Sequence, residues 1–139
     1  MLRGGAPIYM ARKEYNINMV TEKTLIKFGL TKDVNNLKLK EVFKDNIKIK
    51  EIHIDIYSEN PLITSKTPFM LLLRTIEKNI IISNDDDRIV LKRNDKYGTY
   101  FMNILISEIT ECYYKNIYDN SFEFILNIQN IYYKISILN

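Results

Sequence analysis

At 139 residues the chain is long enough for one domain with a hydrophobic core and too short for two full ones. Its net charge of +3 is spread along the chain, which excludes nucleic-acid binding driven by bulk charge alone. A single cysteine excludes an internal disulfide, and no apolar run approaches the roughly 20 residues of a transmembrane helix. The sequence therefore predicts an intracellular protein with no membrane partner, cytoplasmic or, in a eukaryote, nuclear.

The N-terminal part of the chain predicts a tail and a small extension. Residues 1–15 contain two glycines and a proline and predict a mobile tail, whereas residues 16–66 predict a helix and strand extension packed on the core. Thr21 is a favourable N-cap for the first helix, and Gly29 is a favourable end. A second short helix and a strand whose change of phase indicates a β-bulge follow over residues 36–43 and 46–57.

Residues 67–79 carry the clearest helix signal. Thr67 is a favourable N-cap, and Pro68 occupies the first helical turn, where no N–H is needed. The apolar residues that follow recur with helical spacing, at Phe69, Leu72, Leu73 and Ile76. The pattern predicts a short helix at the start of a β-rich core module, residues 67–139.

From residue 80 onwards the apolar residues follow the period of two that is typical of strands. Two short strands around the polar stretch 84–87 predict a hairpin, and a longer strand from Phe101 changes phase near Ser107, which indicates a bulge or bend. Two further strands alternate over residues 122–129 and 131–137. The predicted fold class is α+β and predominantly β: a short helix precedes a small, strongly bent five-stranded antiparallel sheet or barrel.

Side chains suited to catalysis are sparse. His53, the only histidine, shares a predicted strand face with Glu51, Asp55 and Tyr57. This group could be a metal half-site or an acid–base pair, but a solvated polar strand face is the favoured interpretation. Cys112 has no second histidine to serve as its base and is interpreted as a buried structural cysteine. The sequence therefore predicts no catalytic residue, no metal site and no cofactor.

Several segments of the core module resemble the Sm/LSm family. They are residues 68–75, the hairpin that follows, the triplet Phe101-Met102-Asn103 and the terminal stretch from Ile128 to Asn139. In that family a short helix precedes a strongly bent five-stranded sheet, the first motif ends in Met-Asn, and the second begins Ile-Arg-Gly and ends Ile-Leu-Pro. This chain has Gln129 and Asn130 in place of Arg-Gly.

The Sm-like resemblance implies a site for single-stranded RNA. Phe101 would stack on a base, Asn103 would hydrogen-bond to the base edge, and Gln129 occupies the position of the family's arginine. Stacking combined with hydrogen bonds to base edges is the usual way in which proteins recognise single-stranded RNA. The resemblance also implies assembly with protein subunits or further copies of the chain, through the edges of the last two strands.

A second resemblance implies a different function. Residues 106–110 followed by a hairpin are similar to the middle strands of PH-like domains. This alternative describes a phage, viral or parasite protein that docks on or inhibits a larger protein complex through exposed tyrosines: Tyr113, Tyr114, Tyr132 and Tyr133. The abundance of Asn, Ile, Lys and Tyr indicates an AT-rich genome. The sequence thus predicts a non-enzymatic binding or assembly subunit, with RNA association as the sharper hypothesis.

Overall fold

Eight antiparallel strands form one sheet in the computed structural model, which describes residues 20–62 and 71–139. The strands are β1 (Thr31–Lys32), β2 (Lys48–Tyr57), β3 (Leu71–Asn84), β4 (Arg88–Arg93), β5 (Tyr100–Leu105), β6 (Ile109–Tyr118), β7 (Ser121–Ile128) and β8 (Ile131–Leu138). The helices are α1 (Glu22–Phe28) and α2 (Leu37–Val42), and single 3₁₀ turns cover Val34–Asn36 and Ile106–Glu108. No helix within these residues combines the length and the apolar character needed to cross a membrane.

The sheet is open, and its strand order is β1-β6-β7-β8-β2-β3-β4-β5. The prediction of a strongly bent five-stranded sheet or barrel is therefore wrong, because eight strands take part and the two end strands do not pair with each other. β2, which the sequence placed in an extension, lies inside the sheet between β8 and β3. Strand alternation alone could not reveal this, since it does not encode which strands become neighbours.

The helix predicted over residues 67–79 is also wrong in its described part, because residues 71–79 belong to β3. Thr67 and Pro68 lie outside the described residues. Residues 71–78 pair with β2 although their apolar spacing fits a helix, because helix propensity is a weak preference that tertiary contacts override. Polar side chains of this stretch form cross-strand pairs instead: Arg74 with Asp55 of β2, and Glu77 with Arg93 of β4.

The local signals before β2 are confirmed. The Thr21 hydroxyl accepts a hydrogen bond from a backbone N–H in the first turn of α1, and Gly29 ends the helix with a left-handed φ of 70°. The second short helix forms as α2. Its first turn is capped by Asp33, whose carboxylate accepts the backbone N–H groups of Lys38 and Leu39 at 2.8 Å each.

The change of phase predicted in β2 is present. The ladder between β2 and β3 has no pair at Lys50 and Asn79, and Asn79 takes a φ of 57°. This irregularity lets Ile49 and Ile52 both point into the core, although their spacing would place them on opposite faces of a regular strand.

The predicted hairpin around residues 84–87 is confirmed as β3–β4, with Ile82 opposite Leu91. The change of phase near Ser107 is a complete break, because the 3₁₀ turn separates β5 from β6 and each strand pairs with a different neighbour.

The last two predicted strands form as β7 and β8. Both are interior strands, so assembly through their edges, which the Sm-like resemblance implied, is not possible in this sheet.

Hydrophobic clusters pack on both faces of the sheet. The larger one defines the inner face and combines Leu91 and Ile104 from one end of the sheet with Cys112 from the other. The sheet therefore curls over a shared core without closing. The smaller cluster defines the outer face and contains Leu30, Leu62, Tyr113 and Ile125. It explains why Ile125 is apolar within an otherwise polar face of β7.

Candidate binding cleft

A cleft of about 440 Å³ opens on the inner face beside the end strand β5, and we call it the β5 cleft. It forms because β4 pairs only with residues 80–84 of β3, so the first half of β3 extends beyond β4 with β2 as its strand partner. The inner face is therefore left open at this end of the sheet. The lining combines polar side chains, among them Thr75, Asn103, Glu108 and Gln129, with apolar ones: Ile54, Ile56, Leu73, Phe101, Met102 and Ile128.

An ion pair supports one wall of the β5 cleft. Arg93 donates two hydrogen bonds to the carboxylate of Glu77, at 3.0 and 2.8 Å. These bonds raise the pKa of the guanidinium further, so that Arg93 stays charged. Its guanidinium carbon lies 5.7 Å from the centre of the Phe101 ring, within the range of a cation–π contact. One face of Phe101 is therefore already covered by Arg93.

A second polar pair lies on the rim, where the turn between β7 and β8 approaches the 3₁₀ turn. Gln129 donates its side-chain amide to the carboxylate of Glu108 at 3.2 Å. Gln129 and Asn130 both have positive φ, as the tight two-residue turn between these strands requires. Among residues 20–62 and 71–139 no lysine or arginine forms an ion pair with Glu108.

The three residues that the Sm-like resemblance assigned to RNA line this one cleft. Phe101 and Asn103 come from β5, and Gln129 comes from the β7–β8 turn. The opposite wall, to which Ile54 and Leu73 contribute, was not predicted from the sequence. Its apolar residues were visible in the sequence, but their position across from β5 depends on the order of the strands.

No family model, curated protein or solved structure matches the chain.

The four tyrosines predicted as one exposed patch are divided between the two faces. Tyr113 and Tyr132 lie on the outer face, where the Tyr113 hydroxyl donates to Glu111 at 3.0 Å. Burial and the neighbouring Glu111 carboxylate raise the pKa of Tyr113. Tyr114 and Tyr133 pack against the larger core cluster, and Tyr133 also lines the β5 cleft. They therefore do not offer one shared docking surface.

The group around His53 forms polar contacts on the outer face, both within β2 and across to β3. His53 contacts the carboxylate of Glu51, which also lies 3.9 Å from the ammonium of Lys78. The hydrogen bond from His53 is the main cause that lowers the pKa of Glu51. Next to them, Arg74 donates to Asp55 at 2.9 Å. In the part of the chain that the structure describes, no three His, Cys, Asp or Glu side chains converge as metal ligands would.

Cys112 is confirmed as a buried cysteine. Its thiol donates to the buried carboxylate of Asp33 at 3.4 Å. Burial first, and then the Asp33 charge, raise the pKa of the thiol, which disfavours the thiolate that a nucleophile requires. The contact ties β6 to the segment that leads into α2.

Proposed function

We propose that the protein is a non-catalytic binding module that docks on a partner protein through the β5 cleft. The observation that carries this proposal is an open cleft beside an end strand, with exposed apolar side chains on its walls and polar side chains on its rim. The volume of this cleft is about 440 Å³. Covering exposed apolar surface is the main driving force of protein association.

Leu73 shows most directly what a partner would gain. It lies on the cleft wall, yet 53% of its surface is exposed. Burying a leucine side chain fully is worth about 1.5–3 kcal/mol, so covering the exposed half would contribute about 1 kcal/mol. Phe101 and Met102 lie on the facing wall and are half-buried. Together these side chains provide the apolar centre that protein interfaces usually have.

The polar groups around the cleft suit a structural role better than a catalytic one. Arg93 and Glu77 neutralise each other, and the Glu108 carboxylate holds the amide of Gln129. A general base needs a carboxylate or imidazole placed beside a reacting group and a pKa near the working pH. These two pairs orient side chains at the rim, which favours recognition.

Single-stranded RNA is a second candidate for the same cleft. It is favoured by the convergence of Phe101, Asn103 and Gln129, because an aromatic ring beside two amides could stack on a base and read its edge. Phosphate binding, however, needs free positive charge. Arg93 is already paired with Glu77, and the Glu108 carboxylate would repel a phosphate, so a protein partner is the better supported proposal.

The test uses two substitutions on the same strand. Leu73 and Ile76 are each 53% exposed, but Leu73 lies on the inner face opposite Ile56 and Ile76 lies on the outer face opposite His53. The wild-type chain, Leu73→Glu and Ile76→Glu would each be isolated at native levels from the source cells, with and without ribonuclease, and the bound proteins quantified.

The proposal expects a set of proteins that resists ribonuclease, is lost with Leu73→Glu and is retained with Ile76→Glu. Equal recovery by both variants would exclude the cleft as the docking site. Loss of every protein on ribonuclease treatment, together with RNA bound to the wild type and not to Leu73→Glu, would establish the RNA alternative.

A further inference from the structure

We infer that the partner supplies an extended segment that adds to the sheet as a new strand beside β5 and places a basic side chain against Glu108. This inference rests on the proposed function and specifies how the β5 cleft would be filled. Three features of the described residues support it: an unpaired strand edge, an apolar floor next to that edge, and a carboxylate without a cationic partner at its end.

The edge of β5 is available for pairing. Within the described residues β5 pairs with β4 alone. Ile106 donates its N–H to Asp87 at 2.9 Å, on the β4 side. Because successive residues of an antiparallel strand direct their backbone groups to opposite sides, those of Leu105 and Asn103 point away from β4. These groups can form a ladder with an added strand, as in other cases of β-strand addition.

The composition of this edge supports the same conclusion. Natural end strands are usually protected from pairing by lysine, by proline, by a bulge that twists them away or by short length. β5 has six residues, Tyr100–Leu105, without a charged residue or a proline. Its one irregularity, between Leu91 and Lys92 of the β4 ladder, lies near the start of β5 and leaves residues 102–105 regularly paired.

The β5 cleft determines which side chains the added strand should carry. Alternate residues of a strand beside β5 would face the inner side, where Leu73 and Met102 line the cleft. The residues between them would face solvent. The partner segment that fits beside β5 should therefore alternate apolar and polar residues over about four to six positions, the usual length of a short strand.

Glu108 specifies the charge of the segment. It is the last residue of the 3₁₀ turn that follows β5, it lines the cleft, and it accepts a hydrogen bond from the neutral amide of Gln129. A lysine or arginine at the corresponding end of the added strand would form an ion pair with it and would replace or share that amide. Charge complementarity of this kind contributes mainly to the specificity and the orientation of binding.

The test selects peptides from a displayed library of random linear dodecapeptides against the full chain. We expect enriched peptides that alternate apolar and polar residues and carry a lysine or arginine at one end. In ¹⁵N–¹H spectra their binding should shift the amides of Leu105 and Asn103 most strongly. Glu108→Gln should remove the preference for the basic residue when the selection is repeated.

Two substitutions at Asn103 test strand pairing directly. Asn103→Pro removes one outward N–H, whereas Asn103→Ala keeps it; Asn103 is exposed, so both variants should fold, which thermal unfolding would verify. We expect Asn103→Pro to weaken peptide binding about tenfold and Asn103→Ala to change it less than about twofold, as the loss of a backbone hydrogen bond predicts.

The outcomes separate this inference from the proposed function. Peptides that bind Asn103→Pro as tightly as the wild type but fail to bind Leu73→Glu would overturn strand addition and leave the cleft as the docking site. Peptides that bind Leu73→Glu normally would overturn both. A wild-type dimer in analytical ultracentrifugation that dissociates with Asn103→Pro would assign the edge to a second copy of the chain and overturn the inference.

Discussion

The two ends of the sheet solve the same physical problem in opposite ways. β1 ends one side with only two residues, Thr31 and Lys32, and the chain then turns inward to Asp33. Asp33 donates its backbone N–H to the carbonyl of Cys112 at 2.8 Å, and its buried side chain caps α2. β5 ends the other side with six uncharged residues beside the β5 cleft. A short strand, a lysine and buried polar contacts protect the first end, whereas the second is left accessible.

The β1 end of the sheet is therefore held by buried contacts, whereas the edge of β5 is unpaired within the described residues. Strand edges attract other strands, so an unprotected edge is a hazard unless a partner uses it. Because Asp33 makes buried contacts, substitutions at the β1 end should lower the free energy of unfolding. Surface substitutions at the β5 end should leave the free energy of unfolding nearly unchanged and should weaken the proposed binding.

The largest expected effect on stability is at the protected end. Asp33→Ala removes two charge-assisted hydrogen bonds to α2 and the acceptor of the Cys112 thiol, so it should lower the free energy of unfolding by about 2–4 kcal/mol. Urea denaturation measures this change. The neighbouring Lys32 is exposed, so Lys32→Ala should change the free energy of unfolding by less than about 0.5 kcal/mol. Equal stability of Asp33→Ala and the wild type would mean that the cap does not support this end.

An intermediate effect is expected at the open end. Arg93→Ala breaks the bidentate pair with Glu77 and uncovers Phe101, and it should lower stability by less than Asp33→Ala because solvent screens the pair. A double-mutant cycle with Glu77→Gln isolates the coupling. Arg88→Ala removes an exposed arginine from the same strand and is the matched control. A loss as large as that of Asp33→Ala would contradict the contrast between the two ends.

A smaller effect should be seen between the two ends, on the outer face of β2. Because His53 lowers the pKa of Glu51 in the folded protein, the unfolded chain binds the proton more readily. The stability due to Glu51 is therefore fully present above the carboxyl's ordinary pKa of 4.5 and is lost as pH falls through the lowered value.

Glu51→Gln should consequently make the acid loss of stability shallower than in the wild type. Urea denaturation at a series of acidic pH values, with the exposed Glu22→Gln as control, measures the difference. Parallel pH curves for Glu51→Gln and the wild type would show that the contact with His53 does not form in solution.

Much of the local structure could be predicted from the sequence. Thr21 and Gly29 mark the ends of α1 because their side chain and backbone satisfy requirements within a few residues. The alternation in β7 and β8 was readable because one face of each strand packs on the core. Of the residues that line the cleft, the sequence pointed to Phe101 and Asn103 of β5 and to Gln129 of the β7–β8 turn, but not to those of β2 and β3.

The sequence by itself determined the caps, the turns and the faces of most strands, since each of these depends on neighbours along the chain. Only the tertiary structure decided that residues 71–79 are a strand, that β2 lies inside the sheet and that β5 is left at its end. The spacing of Leu72, Leu73 and Ile76 fits a helix, but pairing with β2 supplies a ladder of hydrogen bonds that no local pattern encodes. The β5 cleft exists because of that strand order.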